Sequence, residues 1–344
     1  MAQGKKMLII HILEILKQYT DETHRLSQAE IRDLLKRDYD MTVDRKAIRR
    51  NLQTLLDSGY PLEYTERLRI KENGEEEVLF TDWYLSRDFT DAELRLIIDG
   101  LLFSKHIPYN QCKELIEKLE GLSSQYFARR VRHIRNLPET LPKNPALFYT
   151  IEILDEAIDK GKQVVFEYCN YGTDKKLHPR QNRKGEPKKY VVNPYQLVAT
   201  NGRYYLIGNF DFYEDVGHYR VDRIKNIRLL DTPVKPMSSL PGQTGGLQLP
   251  THMAEHIYMF GGESGTVTFR AYKYIVTDII DWFGKDVRFF DETDDQVSVS
   301  VRVNYQAMKY WAMQYGYHMT VLSPPSLVLD IKKELTAAAA NYQT

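Results

Sequence analysis

Residues 185–224, GEPKKYVVNPYQLVATNGRYYLIGNFDFYEDVGHYRVDRI, leave few folds open. Three apolar and aromatic runs of strand length are separated by turn signals, the tightest being Thr-Asn-Gly at 200–202. Short consecutive strands joined this way pair as an antiparallel unit. Upstream, Val164, Phe166 and Tyr168 alternate with Val165, Glu167 and Cys169, after a helix-like FYTIEILDEAIDKG. Downstream, NIRLLD supplies a fifth strand. One helix and five strands predict a small barrel that closes its own edges.

The rim of this unit concentrates positive charge beside tyrosines. Arg203, Arg220 and Arg223 punctuate the strands, and TDKKLHPRQNRKGEPKK forms a polar loop with seven basic residues, Arg180 among them. Cations interleaved with flat rings suit an anionic, partly aromatic ligand such as single-stranded nucleic acid, where stacking contributes about 1–3 kcal/mol per base. Structural roles compete at each position. Tyr204, Tyr205 and Leu206 share a strand, so at least one ring belongs to the core. Strand alternation places Arg220 beside Asp222, which would clamp it, and leaves Arg223 as the better ligand contact.

The first third reads differently. Leu8, Ile9, Ile12, Leu13 and Leu16 form one helical stripe, and Ser27 with Glu30 has capping-box spacing for a second helix to about Lys36. Thr42 is the expected cap of a third helix ending at Gly59, with Ile48, Leu52 and Leu55 inward and Arg45, Lys46, Arg49 and Arg50 exposed. PLEYTERLRI and EVLFTDWYL then form a hairpin around KENGEE, carrying Arg67 and Arg69. Two helices, a turn, a basic helix and a hairpin make the order of a winged helix-turn-helix. Such a helix enters the major groove, where arginine can pair with the O6/N7 edge of guanine. Thr42, Arg45, Lys46, Arg49, Arg50, Arg67 and Arg69 are the candidate DNA contacts.

Between these regions, Thr90 and Glu93 open a further helix, and QCKELIEKLEGLSSQYF continues helically. Basic RRVRHIRN and proline-rich LPETLPKNP close a helical connector. Beyond LPGQTGG, a βαββαβ order predicts a ferredoxin-like α+β sandwich with a last helix opened by Pro324-Pro325. The expected fold is thus α+β and multidomain: DNA-binding domain 1–86, connector 87–145, ligand-sensing barrel 146–236 and C-terminal domain 248–344.

Composition narrows the chemistry. Of 344 residues, Lys+Arg and Asp+Glu number 47 each, so affinity for nucleic acid must come from local patches. Two widely separated cysteines exclude a disulfide framework and point to a reducing cytosol. The apolar N-terminus carries His11 and Glu14 and lacks a small-residue cleavage site, and no run approaches a membrane span. No Walker, HExxH, GxSxG or Cys-x-x-Cys motif occurs, so no enzyme and no cofactor are expected. His252 and His256 have i,i+4 spacing, but with Glu255 the only carboxylate nearby they read as structural, and no metal site is expected.

Several motifs together resemble one family. NPYQL, GRYYLIG and YRVDRI, in that order, resemble the WYL domain of bacterial transcription regulators, an Sm-like barrel that senses a ligand. SQAEIRDLL…TVDRKAIRRNLQTLLDSGYPLEY resembles the winged helix of such regulators, and PPSLVLDIKKEL their C-terminal extension, of the WCX type. Tyr204 stands where the family name places tryptophan. The resemblance implies nucleic-acid-derived ligands, with Arg220, Arg223, Tyr195, Tyr205 and Leu206 at family positions. The candidate ligand contacts are therefore Tyr168, Arg180, Tyr195, Arg203, Tyr205, Arg220 and Arg223. The expected protein is a cytoplasmic homodimer on double-stranded operator DNA, answering to an oligonucleotide or nucleotide-like effector. An Sm-like RNA-binding module, or an enzyme using the basic-aromatic site, are the alternatives.

Overall fold

The computed structural model describes residues 2–70, 76–104, 107–131, 144–241 and 245–342. The chain divides into two compact units, residues 1–141 and 142–344.

The first unit begins with α1 (Ala2–Tyr19), α2 (Gln28–Tyr39), α3 (Arg45–Asp57) and the antiparallel hairpin β1 (Leu62–Ile70) and β2 (Glu76–Leu85). Ser27 and Glu30 close a reciprocal capping box at the start of α2. The cap of α3 is Asp44 rather than Thr42: its carboxylate accepts the Ala47 N–H at 2.7 Å, while Thr42 stays exposed outside the helix. Capping requires the residue next to the first turn, and Asp44 occupies that place. Ile12, Leu16, Ile31, Leu35, Ile48, Leu52 and Trp83 form the core of this part. The hairpin turn expected at KENGEE lies, except for Glu76, outside the described residues.

Three helices follow: α4 (Asp91–Phe103), α5 (Tyr109–Glu120) and α6 (Gln125–Val131), sharing a small core of Leu94, Ile98, Ile116 and Phe127. The helix expected to run on through Phe127 breaks after Glu120. Ser123 Oγ donates to Asp91 and Ser124 Oγ to Asp21, each at 2.8 Å, and these bonds hold the chain out of helical geometry. Arg132, Arg135 and most of the proline-rich linker lie outside the described residues.

The second unit opens with α7 (Leu147–Asp159), which packs on a curled antiparallel sheet. Its strands are β3 (Lys162–Tyr171), β4 (Leu177–Pro179), β5 (Lys189–Thr200), β6 (Arg203–Phe210), β7 (Gly217–Arg220) and β8 (Ile224–Pro233). The order is β4-β3-β5-β6-β7, with β8 also paired to β3. Three expectations change here. The sheet curls without closing, because β7 and β8 do not pair with each other among the described residues. The polar loop contains β4 and a Gln181–Pro187 bridge, giving six strands instead of five. Finally, YRVDRI is not one strand: β7 stops at Arg220 and Val221–Arg223 form a 3-10 turn, with Val221 and Asp222 buried.

The β5–β6 turn uses left-handed Asn201 and Gly202, at φ 51° and 70°. Gly208 on β6 is required for another reason, since a Cβ there would lie 2.8 Å from the Asn193 carbonyl oxygen. Asn144 anchors the start of this unit by donating to the Ile224 carbonyl at 2.6 Å.

A short helix, α8 (Leu249–Glu255), leads to β9 (Ser264–Tyr272), α9 (Val276–Phe283), β10 (Arg288–Phe290), β11 (Gln296–Asn304), α10 (Tyr305–Gln314), β12 (Met319–Ser323) and α11 (Pro325–Ala340). The sheet order is β10-β11-β9-β12, antiparallel throughout. Phe269, Ile279, Phe283 and Trp311 fill its core. Helix α8 was not anticipated, and its apolar side joins Val198, Tyr205, Ile207 and Met259 against the preceding sheet.

Candidate functional site

The 3-10 turn after β7 gathers the charged groups. Arg220 binds Asp222 through two hydrogen bonds, Nε at 3.0 Å and Nη2 at 2.6 Å, with both side chains largely buried. The same arginine's backbone N–H donates to the Tyr168 hydroxyl at 3.0 Å. Burial pushes the Tyr168 phenol up, against that hydrogen bond and the positive fields of Arg223, Arg220 and Arg180. Burial also raises Tyr171, which feels Asp222 together with Arg220, Arg223 and Arg203. Four arginines therefore converge on Tyr168 and Tyr171.

They are not equally engaged. Arg220 spends its planar fork on Asp222, and the Arg180 guanidinium sits 5.1 Å above the Tyr168 ring. The Nε atoms of Arg203 and Arg223 are buried and meet no hydrogen-bond partner. A buried charged donor left unpaired is costly, and an anion within its reach would offset that cost. Tyr168, Tyr190, Tyr219 and Phe166 pack edge to face or stacked, and Lys188 Nζ lies 4.8 Å from the Tyr190 ring.

Two sequence candidates stand apart from this cluster. Tyr195 donates to the Lys235 carbonyl at 2.9 Å, and burial with the nearby Asp211 charge pushes its phenol up to about 12. Tyr205 is buried in the cluster with Val198, Ile207 and Met259, although its position opposite Arg220 in the β6–β7 register brings its phenol within that arginine's field. Tyr171 was missed as a site residue. Its position at the end of β3, three residues after Tyr168, was the only available signal.

On the first unit, Arg45, Lys46, Arg49 and Arg50 are all exposed on α3. Arg45 Nε donates to Gln28 Oε1 at 3.2 Å, and Arg49 lies 5.4 Å above the Phe80 ring of β2. Lys46 and Arg50 make no ion pair among the described residues. On the hairpin Arg67 is paired with Asp82 at 2.7 Å, while Arg69 is exposed opposite Glu77.

Residues 149–229 match the family described as the WYL domain. The second unit therefore carries a WYL domain. Residues 263–339 match the WCX domain, so the WYL domain is followed by a second known module. Two solved structures are similar at low identity. Proteasome accessory factor B/C (PafBC) of Arthrobacter aurescens is 15% identical, with a TM-score of 0.28 over 98% of this chain and 49% of that one. A CRISPR Cas-related protein is 12% identical, with a TM-score of 0.39 over 99% of this chain and 86% of that one. The chain thus spans about half the length of the PafBC chain. No curated protein matches it.

The junction of the WYL domain with α8 holds a second polar cluster. His218, His252 and His256 lie ring to ring, and burial lowers all three imidazoles, His218 to about 3 and His252 to about 4. Among the described residues no helix is long and apolar enough to cross a membrane.

Proposed function

We propose that this chain is a DNA-binding transcription regulator whose operator affinity is set by a ligand in its WYL domain. The observation that carries this reading is that Arg203 and Arg223, whose buried Nε–H groups have no partner, both act on Tyr171. Cations gathered near buried tyrosines favour a planar or polymeric anion, and a short single-stranded oligonucleotide supplies phosphate and base together. Arg220 acts here mainly as a clamp for the turn that aims Arg223.

The output element in this reading is α3. Its four exposed basic residues, with the β1–β2 hairpin behind them, support a winged helix-turn-helix. The strand order of the WCX domain supports a ferredoxin-like sandwich, which would help two chains associate. The protein acts by binding, without catalysis, and works in the cytoplasm as a homodimer. An Sm-like RNA-binding module would leave the α3 face without a use, and an enzyme would need a reacting pair that this cluster does not offer.

The test is binding of the full chain to a selected duplex operator, by fluorescence anisotropy, with and without short single-stranded DNA. We expect a change of at least about tenfold, corresponding to about 1.4 kcal/mol of coupling. Arg223→Ala should abolish that change and leave duplex affinity intact. Operator binding that no oligonucleotide alters would remove the nucleic-acid effector from this reading.

A further inference from the structure

The loop between β6 and β7 is held in one shape from within. Asn209, fully buried, donates through Nδ2 to the Tyr213 and Asp215 carbonyls, each at 2.8 Å. The side chains of Tyr213, Glu214 and Asp215 stand exposed and form one wall of a cavity of ≈ 1020 Å³ at the WYL–α8 junction. Glu255 and His256 line it from the end of α8, Glu263 and Ser264 from the start of β9, and Arg302 from β11. None of these residues belongs to the arginine site.

Four carboxylates, Glu214, Asp215, Glu255 and Glu263, share this lining with one guanidinium, Arg302. Arg302 Nε donates to Glu255 Oε1 at 2.7 Å, which leaves three carboxylates without an ion pair among the described residues. A buried side chain on the same wall is also short of a partner. His256 is only 8% exposed, and its Nδ1 lies 2.7 Å from the Phe260 carbonyl oxygen. A carbonyl can only accept, so Nδ1 carries the proton and Nε2 keeps a lone pair, which no hydrogen bond engages among the described residues. Burial lowers this imidazole's pKa and so keeps Nε2 an acceptor. Ser264 Oγ is likewise buried with no partner. Free carboxylates beside an unused imidazole lone pair call for a ligand that is cationic and carries N–H donors.

A bare metal ion does not meet these requirements, because among the described residues no His, Cys, Asp and Glu side chains are grouped to hold one. The cavity is instead as large as the roomier small-molecule sites, which run to about 1,000 Å³. Carboxylates drawn from separate elements match a ligand whose own charges are spread along a chain. We propose that this cavity binds an aliphatic polyamine of the spermidine type. Its ammonium groups pair with Glu214, Asp215 and Glu263, one N–H donates to His256 Nε2, and the Tyr213 ring offers its face to a cation. A monoamine would leave two of the three carboxylates unanswered. Asp215 belongs to the WYL domain and Glu263 opens the WCX domain, so the bound polyamine ties the two modules together. Sequence reading lacked this site because its acidic residues meet only in the fold.

The experiment titrates the full chain with spermidine alone by calorimetry, at physiological ionic strength, and repeats the titration with Mg²⁺ added at equal concentration. One spermidine per chain is expected, with binding that survives Mg²⁺. Asp215→Asn combined with Glu263→Gln should weaken it at least about tenfold, since two ion pairs are lost together. Asp286→Asn combined with Asp294→Asn makes the same charge change at exposed positions outside the cavity and should leave affinity unaltered. His256→Phe should also weaken binding, by removing the acceptor. Melting without ligand checks that each variant unfolds cooperatively near the wild-type temperature. The exposed carboxylate pair keeps the test open if His256→Phe does not fold. Absence of saturable binding, displacement by Mg²⁺, a cavity double variant that binds as well as the control pair, or a folded His256→Phe variant that binds like the wild type overturns the proposal.

Discussion

Asp222 holds Arg220 in a place where neither side chain sees much water. Removing one partner of such a pair strands the other, at a cost of about 3–5 kcal/mol. Asp222→Ala should therefore lower the stability of the WYL domain by about that amount in urea unfolding. Arg223→Ala, which breaks no ion pair in the described residues, should change stability by less than about 1 kcal/mol. A second residue ties the first unit together. Burial pushes Asp21 up, but hydrogen bonds from Ser124, His24 and Thr23 outweigh it and hold the carboxyl at about 2. That lies below the value of about 3.9 in an unfolded chain, so the carboxylate contributes stability fully above that value. The contribution is lost as pH falls through about 2. Urea midpoints followed from pH 5 down to 2 should fall more steeply for the wild type than for Asp21→Asn.

At the scale of elements, α3 offers the cleanest test of a corrected assignment. Asp44→Ala should cost about 1 kcal/mol, whereas Thr42→Ala should leave stability nearly unchanged. For function, Arg49→Ala and Arg50→Ala should weaken duplex binding without altering oligonucleotide binding by the WYL domain. Each lost phosphate contact should also reduce the salt slope by about 1. Helices and strands were readable because their signals are local. Ser27 with Glu30 and Thr90 with Glu93 announce their caps within four residues, and Ile48, Leu52 and Leu55 mark a buried face. The 3-10 turn at Val221–Arg223 was not readable, because its cause is tertiary: Asp222 is buried and bound to Arg220, and strand alternation cannot foresee that. The arginine cluster was half visible. Motif order brought out Arg220 and Arg223, yet only folding shows that Tyr171 joins them while Tyr195 turns to Lys235. Closure of the barrel was overestimated because edge pairing depends on where β7 ends.

At the scale of the whole molecule, the proposed homodimer should show in sedimentation as a single species of twice the chain mass. Its operator should be a palindrome with half-sites about 34–36 Å apart, or a multiple of that, and DNase footprints would reveal the spacing. The proposed coupling between effector and operator need not be spread over many contacts. Asn144, the first described residue of the second unit, is fastened to the carbonyl of Ile224, the residue immediately after Arg223. The contact proposed for the effector and the chain's point of arrival are thus joined through one hydrogen bond. In the proposed regulator such a tether would act as a clutch, handing displacement of the turn to the incoming chain. Asn144→Ala should accordingly keep both oligonucleotide and duplex affinities while cutting the interaction between them.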